Sequence, residues 1–178
     1  MAWVPSPLQD TVTVQAGDDL VNAHRLDQVA FPGLEALAAA EWGIAVTVWG
    51  LFSWPTTNCV RGVAWRRDGR PHVGLNVATT QCPLIRLGTF AHELRHVERG
   101  DLDRPGPEAE READCRAAGA DLVRAAVVGV NRKAGGPLVD ADRCVQCYGD
   151  SGTPCPQGGA VFDHVHAALG PLTRSVPV

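Results

Sequence analysis

The stretch Phe90-Ala91-His92-Glu93-Leu94-Arg95-His96 decides the reading of this 178-residue chain. It places His-Glu-x-x-His inside a segment whose apolar residues Leu84, Leu87, Ala91 and Leu94 repeat at helical spacing. Pro83 suits a first helical turn, Thr79 and Thr80 can cap it, and Gly100 stops it, so one helix of about four turns is predicted. At about 100° per residue, His92 and His96 stand about 40° apart on one face and one turn apart in height. Two imidazoles so placed can reach a single tetrahedral Zn2+. Glu93 is offset toward the same side, where a carboxylate can take the proton of a water at the metal and pass it to a leaving amine. Six His and seven Glu give a chance expectation of about 0.008 copies of the pattern, so a solvated helical face that happens to carry two His explains it poorly.

A metal held by two His needs a third protein ligand, and the acidic run Glu108-Ala109-Glu110-Arg111-Glu112-Ala113-Asp114 opens the next predicted helix. Glu110 and Asp114 are about 40° apart around that helix, whereas Glu112 and Asp114 are about 200° apart. If the ligand shares a face with a second carboxylate that orients a zinc-bound His, Glu110 is the ligand and Asp114 the orienting partner. Glu108 and Glu112 have the same i, i+4 spacing and stay open as alternatives. An acidic first turn also complements the helix dipole without any metal.

Working outward, Arg67-Asp68-Gly69-Arg70 reads as a tight hairpin turn between strands at Val60 to Arg66 and His72 to Ala78, with another strand at Ile44 to Leu51. His72 and Asn76 alternate on one strand face, where an extended substrate could add by strand pairing. Trp49 and Trp65 fall in strands and suit core packing. Thr11 to Gln15 alternates as a strand would, Asp18 to Val29 has helical spacing, and Pro32 to Trp42 is an Ala-rich helix closed by Gly43. The helix that carries the acidic run should start near Pro105 or Pro107, with Asp103 as a possible cap, and reach about Val128, with Gly129 ending it. From Asn131 to Gly159 the composition shifts to Gly, Pro, Asp and Cys and reads as loop, followed by a short helix from Val161 to Leu169.

The sequence from His92 to His96, followed by Glu110-Arg111-Glu112-Ala113-Asp114, resembles the His-Glu-x-x-His and Glu-x-x-Ala-Asn/Asp pattern of the ImmA/IrrE family of gluzincin metallopeptidases. The resemblance spans Arg61 to Leu122. It implies His92, His96 and Glu110 as zinc ligands, Glu93 as catalytic base, and a zinc-dependent endopeptidase acting on a protein or peptide substrate. The chain departs from that family at Arg95, where a small residue is usual, and at Cys115 to Asp121, where an apolar run is usual. The expected fold is α+β and zincin-like, with a small, mostly antiparallel sheet packed on the His-Glu-x-x-His helix and on a second ligand-bearing helix. Residues 1–130 would form that domain, and 131–178 a Cys/Gly/Pro-rich extension packed on it.

Cys144-Val145-Gln146-Cys147, with Cys155 and His164, could close a second, structural zinc site in the tail; a disulfide or unligated thiols are the competing readings. Cys59, Cys82 and Cys115 read as packed interior residues. Tyr148, His164, His166 and Arg95 are candidates to steady a developing oxyanion, although Arg95 can equally pair with Glu98 or an acid of the next helix. The competing function is a non-catalytic zinc-containing binding module, which a fourth protein ligand such as Asp101 or Cys115 would favour. With 16 Lys+Arg against 20 Asp+Glu and a net charge of -4, a nucleic-acid partner is not expected. No apolar stretch approaches a membrane span and no signal-peptide pattern opens the chain, so a cytoplasmic protein is expected.

Overall fold

The computed structural model describes residues 28–51, 61–77, 79–80, 82–103 and 108–149. In chain order these form β1 (Gln28–Ala30), α1 (Pro32–Trp42), β2 (Thr47–Leu51), β3 (Gly62–Arg67), β4 (Arg70–Asn76), α2 (Pro83–Arg99), a 3-10 turn at Asp101–Asp103, α3 (Glu108–Ala134) and α4 (Ala141–Gly149). The fold is α+β.

The four strands lie in the order β1-β2-β4-β3. β1 with β2 and β3 with β4 pair antiparallel and β2 with β4 pairs parallel, so the sheet is mixed, with two of its three pairings antiparallel. The β3–β4 hairpin forms as its Asp-Gly pair dictates. Asp68 at φ 51° and Gly69 at φ 76° give the two left-handed residues of a tight turn that follows strand twist. β4 therefore lies inside the sheet and β3 at its edge. That placement removes the strand-addition role expected of His72 and Asn76, because β4 already has a neighbour on each side. His72 instead stacks with Trp49 at 4.8 Å and with Trp65 at 5.6 Å between ring centres.

On the opposite face the sheet meets the helices. Val48, Val73, Leu75 and Ala64 share a core with Phe31, Leu34 and Ala38 of the α1 region and with Leu87, Phe90 and Leu94 of α2, all essentially inaccessible. Each large apolar side chain buried there contributes about 1.5–3 kcal/mol. α1 ends as the sequence indicates, with Gly43 at φ 65°, its N–H donating to Ala39 C=O and the Ile44 N–H to Ala38 C=O. α2 likewise ends at Gly100, φ 72°. The first residues of the sheet correct one expectation: Gln28 and Val29, read as helical, pair with β2. The strand at Thr11 to Gln15, the rest of the helix from Asp18 and the helix at Val161 to Leu169 lie outside the described residues.

α3 runs through Gly129 to Ala134 and stops at Gly135, φ 75°. Gly129 costs helix stability, about 1 kcal/mol against Ala, but Val123, Val127 and Val130 on one face bury completely and outweigh it. The segment expected to be loop from Asn131 contains α4. Asn131 orders the connection, accepting from Leu138 and Val139 N–H and donating to Val139 C=O. Asp140 then caps α4 through its side chain to the Asp142 and Arg143 N–H groups. α4 seals a second apolar cluster of Leu84, Val123, Val127, Val130, Val139, Cys144 and Tyr148.

Candidate metal centre

Three side chains from two helices meet near the carboxyl end of α2 and the first turns of α3. His92 Nε2 lies 3.2 Å from His96 Nε2 and 3.2 Å from Glu112 Oε2, and His96 Nε2 lies 3.1 Å from Glu112 Oε1. His96 and Glu112 are buried and His92 is half-buried, so the cluster opens to solvent on the His92 side. Glu112 Oε2, although 3.2 Å from His92 Nε2, has no hydrogen-bond partner, an unusual state for a buried carboxylate oxygen.

Four ligands around an ion at 2.0–2.1 Å in tetrahedral geometry stand about 3.3 Å apart. The three donor atoms already have nearly that mutual spacing, and two imidazoles with one carboxylate suit zinc. Among the described residues this group could hold a metal ion through His92, His96 and Glu112, with no fourth residue in it. Burial alone would lower the His96 pKa, but contacts with Cys115 and Glu112 raise it to about 11. Burial would raise that of Glu112, yet the two imidazoles hold it at about 2.

The third carboxylate corrects the sequence reading. Glu110 is exposed, while Glu112 is the residue turned onto both histidines. The side chain of Glu108 lies outside the described residues. Asp114 does not orient a histidine either; it binds Arg95 Nε at 2.9 Å and Arg99 Nη1 at 2.6 Å, tying α3 to α2. The orienting carboxylate is Asp101, whose Oδ2 lies 3.0 Å from His96 Nδ1. Gly100 folds the chain back over the last turn of α2, which brings Asp101 to the far side of the imidazole ring. The choice of Glu110 assumed that ligand and orienting group share one helix, and they do not. A carboxylate directly after a helix-ending glycine, five residues beyond His96, was the available signal for Asp101.

Glu93 lies next to this cluster and is itself buried. Burial raises its pKa; the neighbouring imidazoles and the Ala64 N–H act against this, and the net shift is upward. Cys115 is a buried free thiol beside His96 and Asp101, and these three make a second group of donor atoms within 4.8 Å of one another. Cys82 is half-buried.

Of the other candidates, Tyr148 is buried in the second cluster, its ring beside Gly88 and its hydroxyl beside Gly119. Arg95 pairs with both Glu98 and Asp114. Cys144 and Cys147 sit on α4, Cys144 buried and Cys147 half-buried, whereas Cys155, His164, His166 and Cys59 lie outside the described residues. No helix of the described residues is long and apolar enough to cross a membrane. No protein-family model, curated protein or solved structure matches the chain.

Proposed function

We propose that this chain is a zinc-dependent metallopeptidase of gluzincin type with a zincin-like fold, hydrolysing a peptide bond in a protein substrate. The observation that carries the reading is the triangle of His92, His96 and Glu112 donors with a buried acid, Glu93, directly beside it. His92, His96 and Glu112 would hold the ion, leaving a ligand position open as catalytic sites do. Zinc, when bound, supplies Lewis acidity to a scissile carbonyl and lowers the pKa of water.

The residues of the chain do the rest. Asp101 fixes His96 in one orientation by accepting from its Nδ1–H and keeps Nε2 free to bind. Glu93 accepts a proton from the attacking water on its carboxylate and delivers it to the departing nitrogen. Its raised pKa suits both halves of that cycle better than an ordinary surface carboxylate would. The substrate is a polypeptide and not nucleic acid, consistent with the net charge of -4. A cytoplasmic setting suits the unpaired thiol of Cys115.

The test is zinc-loaded full-length chain incubated with unfolded casein. Cleavage that stops with chelator and returns with zinc supports the proposal; intact casein at full zinc occupancy overturns it.

One observation favours the second reading, a non-catalytic zinc-containing binding module. Cys115, Asp101 and His96 form an adjoining donor group. Were Cys115 to join His92, His96 and Glu112, the site would be closed by protein. Cobalt substitution separates the two: a thiolate ligand gives an intense sulfur-to-metal band in the near ultraviolet, and its absence favours the open site.

A further inference from the structure

Glu93 rests under the backbone of β3. A Cβ on Gly62 would stand 2.8 Å from Glu93 Cγ and 2.8 Å from its Oε1, so only a bare backbone admits the carboxylate there. The Ala64 N–H donates a hydrogen bond to it. That N–H belongs to the free side of the strand. The Asn76 N–H donates to Arg61 C=O, which makes 61 and 76 a hydrogen-bonded pair of the antiparallel ladder. By alternation the pairs Val63–Gly74, Trp65–His72 and Arg67–Arg70 are also hydrogen-bonded, and Gly62, Ala64 and Arg66 turn their N–H and C=O groups away from β4. Among the described residues no strand occupies that side. An extended chain adding to β3 would use the Ala64 N–H, and in the free protein Glu93 already holds it.

We propose that Glu93 is latched to the β3 edge and that an extended peptide docking on this edge releases it. The inference rests on the peptidase reading above. A carbonyl oxygen of the peptide takes the Ala64 N–H, the Glu93 carboxylate gives it up, and the freed carboxylate turns to the water beside the peptide. Only hydrogen bonds are exchanged, so docking and arming are one event. Gly62 is a positioning residue for the resting state, because its missing side chain makes the berth.

The experiment follows amide hydrogen exchange at Ala64 and binding of oxidised insulin B chain, an unstructured peptide, on full-length protein supplied with zinc. Glu93→Ala removes the acceptor, so Ala64 should exchange about tenfold faster and the peptide should bind about tenfold tighter, having no carboxylate to displace. Glu93→Gln keeps a weaker acceptor and should fall between. Gly62→Ala keeps the acid but fills its berth, and should speed Ala64 exchange as Glu93→Ala does. Unchanged exchange in Glu93→Ala overturns the latch. Peptide binding by Glu93→Ala that is equal to, weaker than or undetectable beside that of the wild type overturns the competition. Cleavage by the wild type is scored separately: its absence removes the peptidase reading, whereas exchange and binding decide the latch by themselves.

Discussion

The pair of helices α2 and α3 carries two opposite kinds of interior. Toward one end stand His92, His96, Asp101, Glu112 and Cys115, tied down by Arg95 and Arg99 through Asp114. Toward the other, Leu84, Val123, Val127, Val130 and Tyr148 form an apolar cluster roofed by α4. Gly88 and Gly119 face each other across the two helices, each with Tyr148 filling the space a Cβ would need. The apolar end gains from burial and tolerates no gap, so it can fix the spacing of the helices. The polar end gains little from burial without a ligand, yet three donor atoms are kept 3.1–3.2 Å apart. A rigid scaffold at one end therefore preorganises a costly cluster at the other.

Mutations at the two ends should separate function from stability. The largest effect is expected from Glu93→Gln, which should lower peptide hydrolysis by about 10²–10⁴-fold while zinc content and thermal midpoint stay as in the wild type. Unchanged turnover would remove Glu93 from the chemistry. Asp101→Asn should weaken zinc binding by about 10–100-fold, read by competition with a chromophoric chelator, because His96 loses its orienting acceptor. An unaltered affinity would show that His96 needs no such partner. At the apolar end, Gly119→Ala pushes a methyl into the Tyr148 hydroxyl and should cost about 1–3 kcal/mol in denaturant unfolding with zinc stoichiometry intact. Loss of zinc in that variant would mean that the two ends are not separable.

The smallest effect is one of pH on the metal-free protein. Glu112 is held at about 2 against 4.5, so the stability it adds is present above about pH 4.5 and fades as pH falls toward 2. His96 is raised to about 11 from 6.5, so its contribution is complete below about pH 6.5 and fades as pH rises toward 11. The thermal midpoint of the metal-free protein should thus be highest between about pH 4.5 and 6.5 and decline on both sides. A flat profile would show that the polar end adds nothing without metal. With zinc bound the acid side should steepen, because binding expels the imidazole proton.

The His-Glu-x-x-His helix was legible because its chemistry and its apolar repeat share one period, and Pro83 and Gly100 mark its ends. The hairpin at Asp68 and Gly69 was legible for the same local reason. Identity of the third carboxylate was not. Rotation of α3 about its axis is set by contacts made far along it, Val123 and Val127 against α4, and by the Arg95 and Arg99 pairs to Asp114. A short run of acids holds none of that information. The parallel pairing of β2 with β4 was hidden too, since insertion of β4 between β2 and β3 is a matter of long-range topology. α4 was missed because its composition is poor in helix formers; Asp140 as cap and the Tyr148 berth compensate.

The most direct test of the metal centre is zinc per chain in two single variants, Glu112→Gln and Glu110→Gln, measured beside the wild type after dialysis against a weak chelator. The geometry predicts that Glu112→Gln loses one equivalent and Glu110→Gln loses none. Zinc retained by Glu112→Gln, or lost by Glu110→Gln, would contradict the site described above.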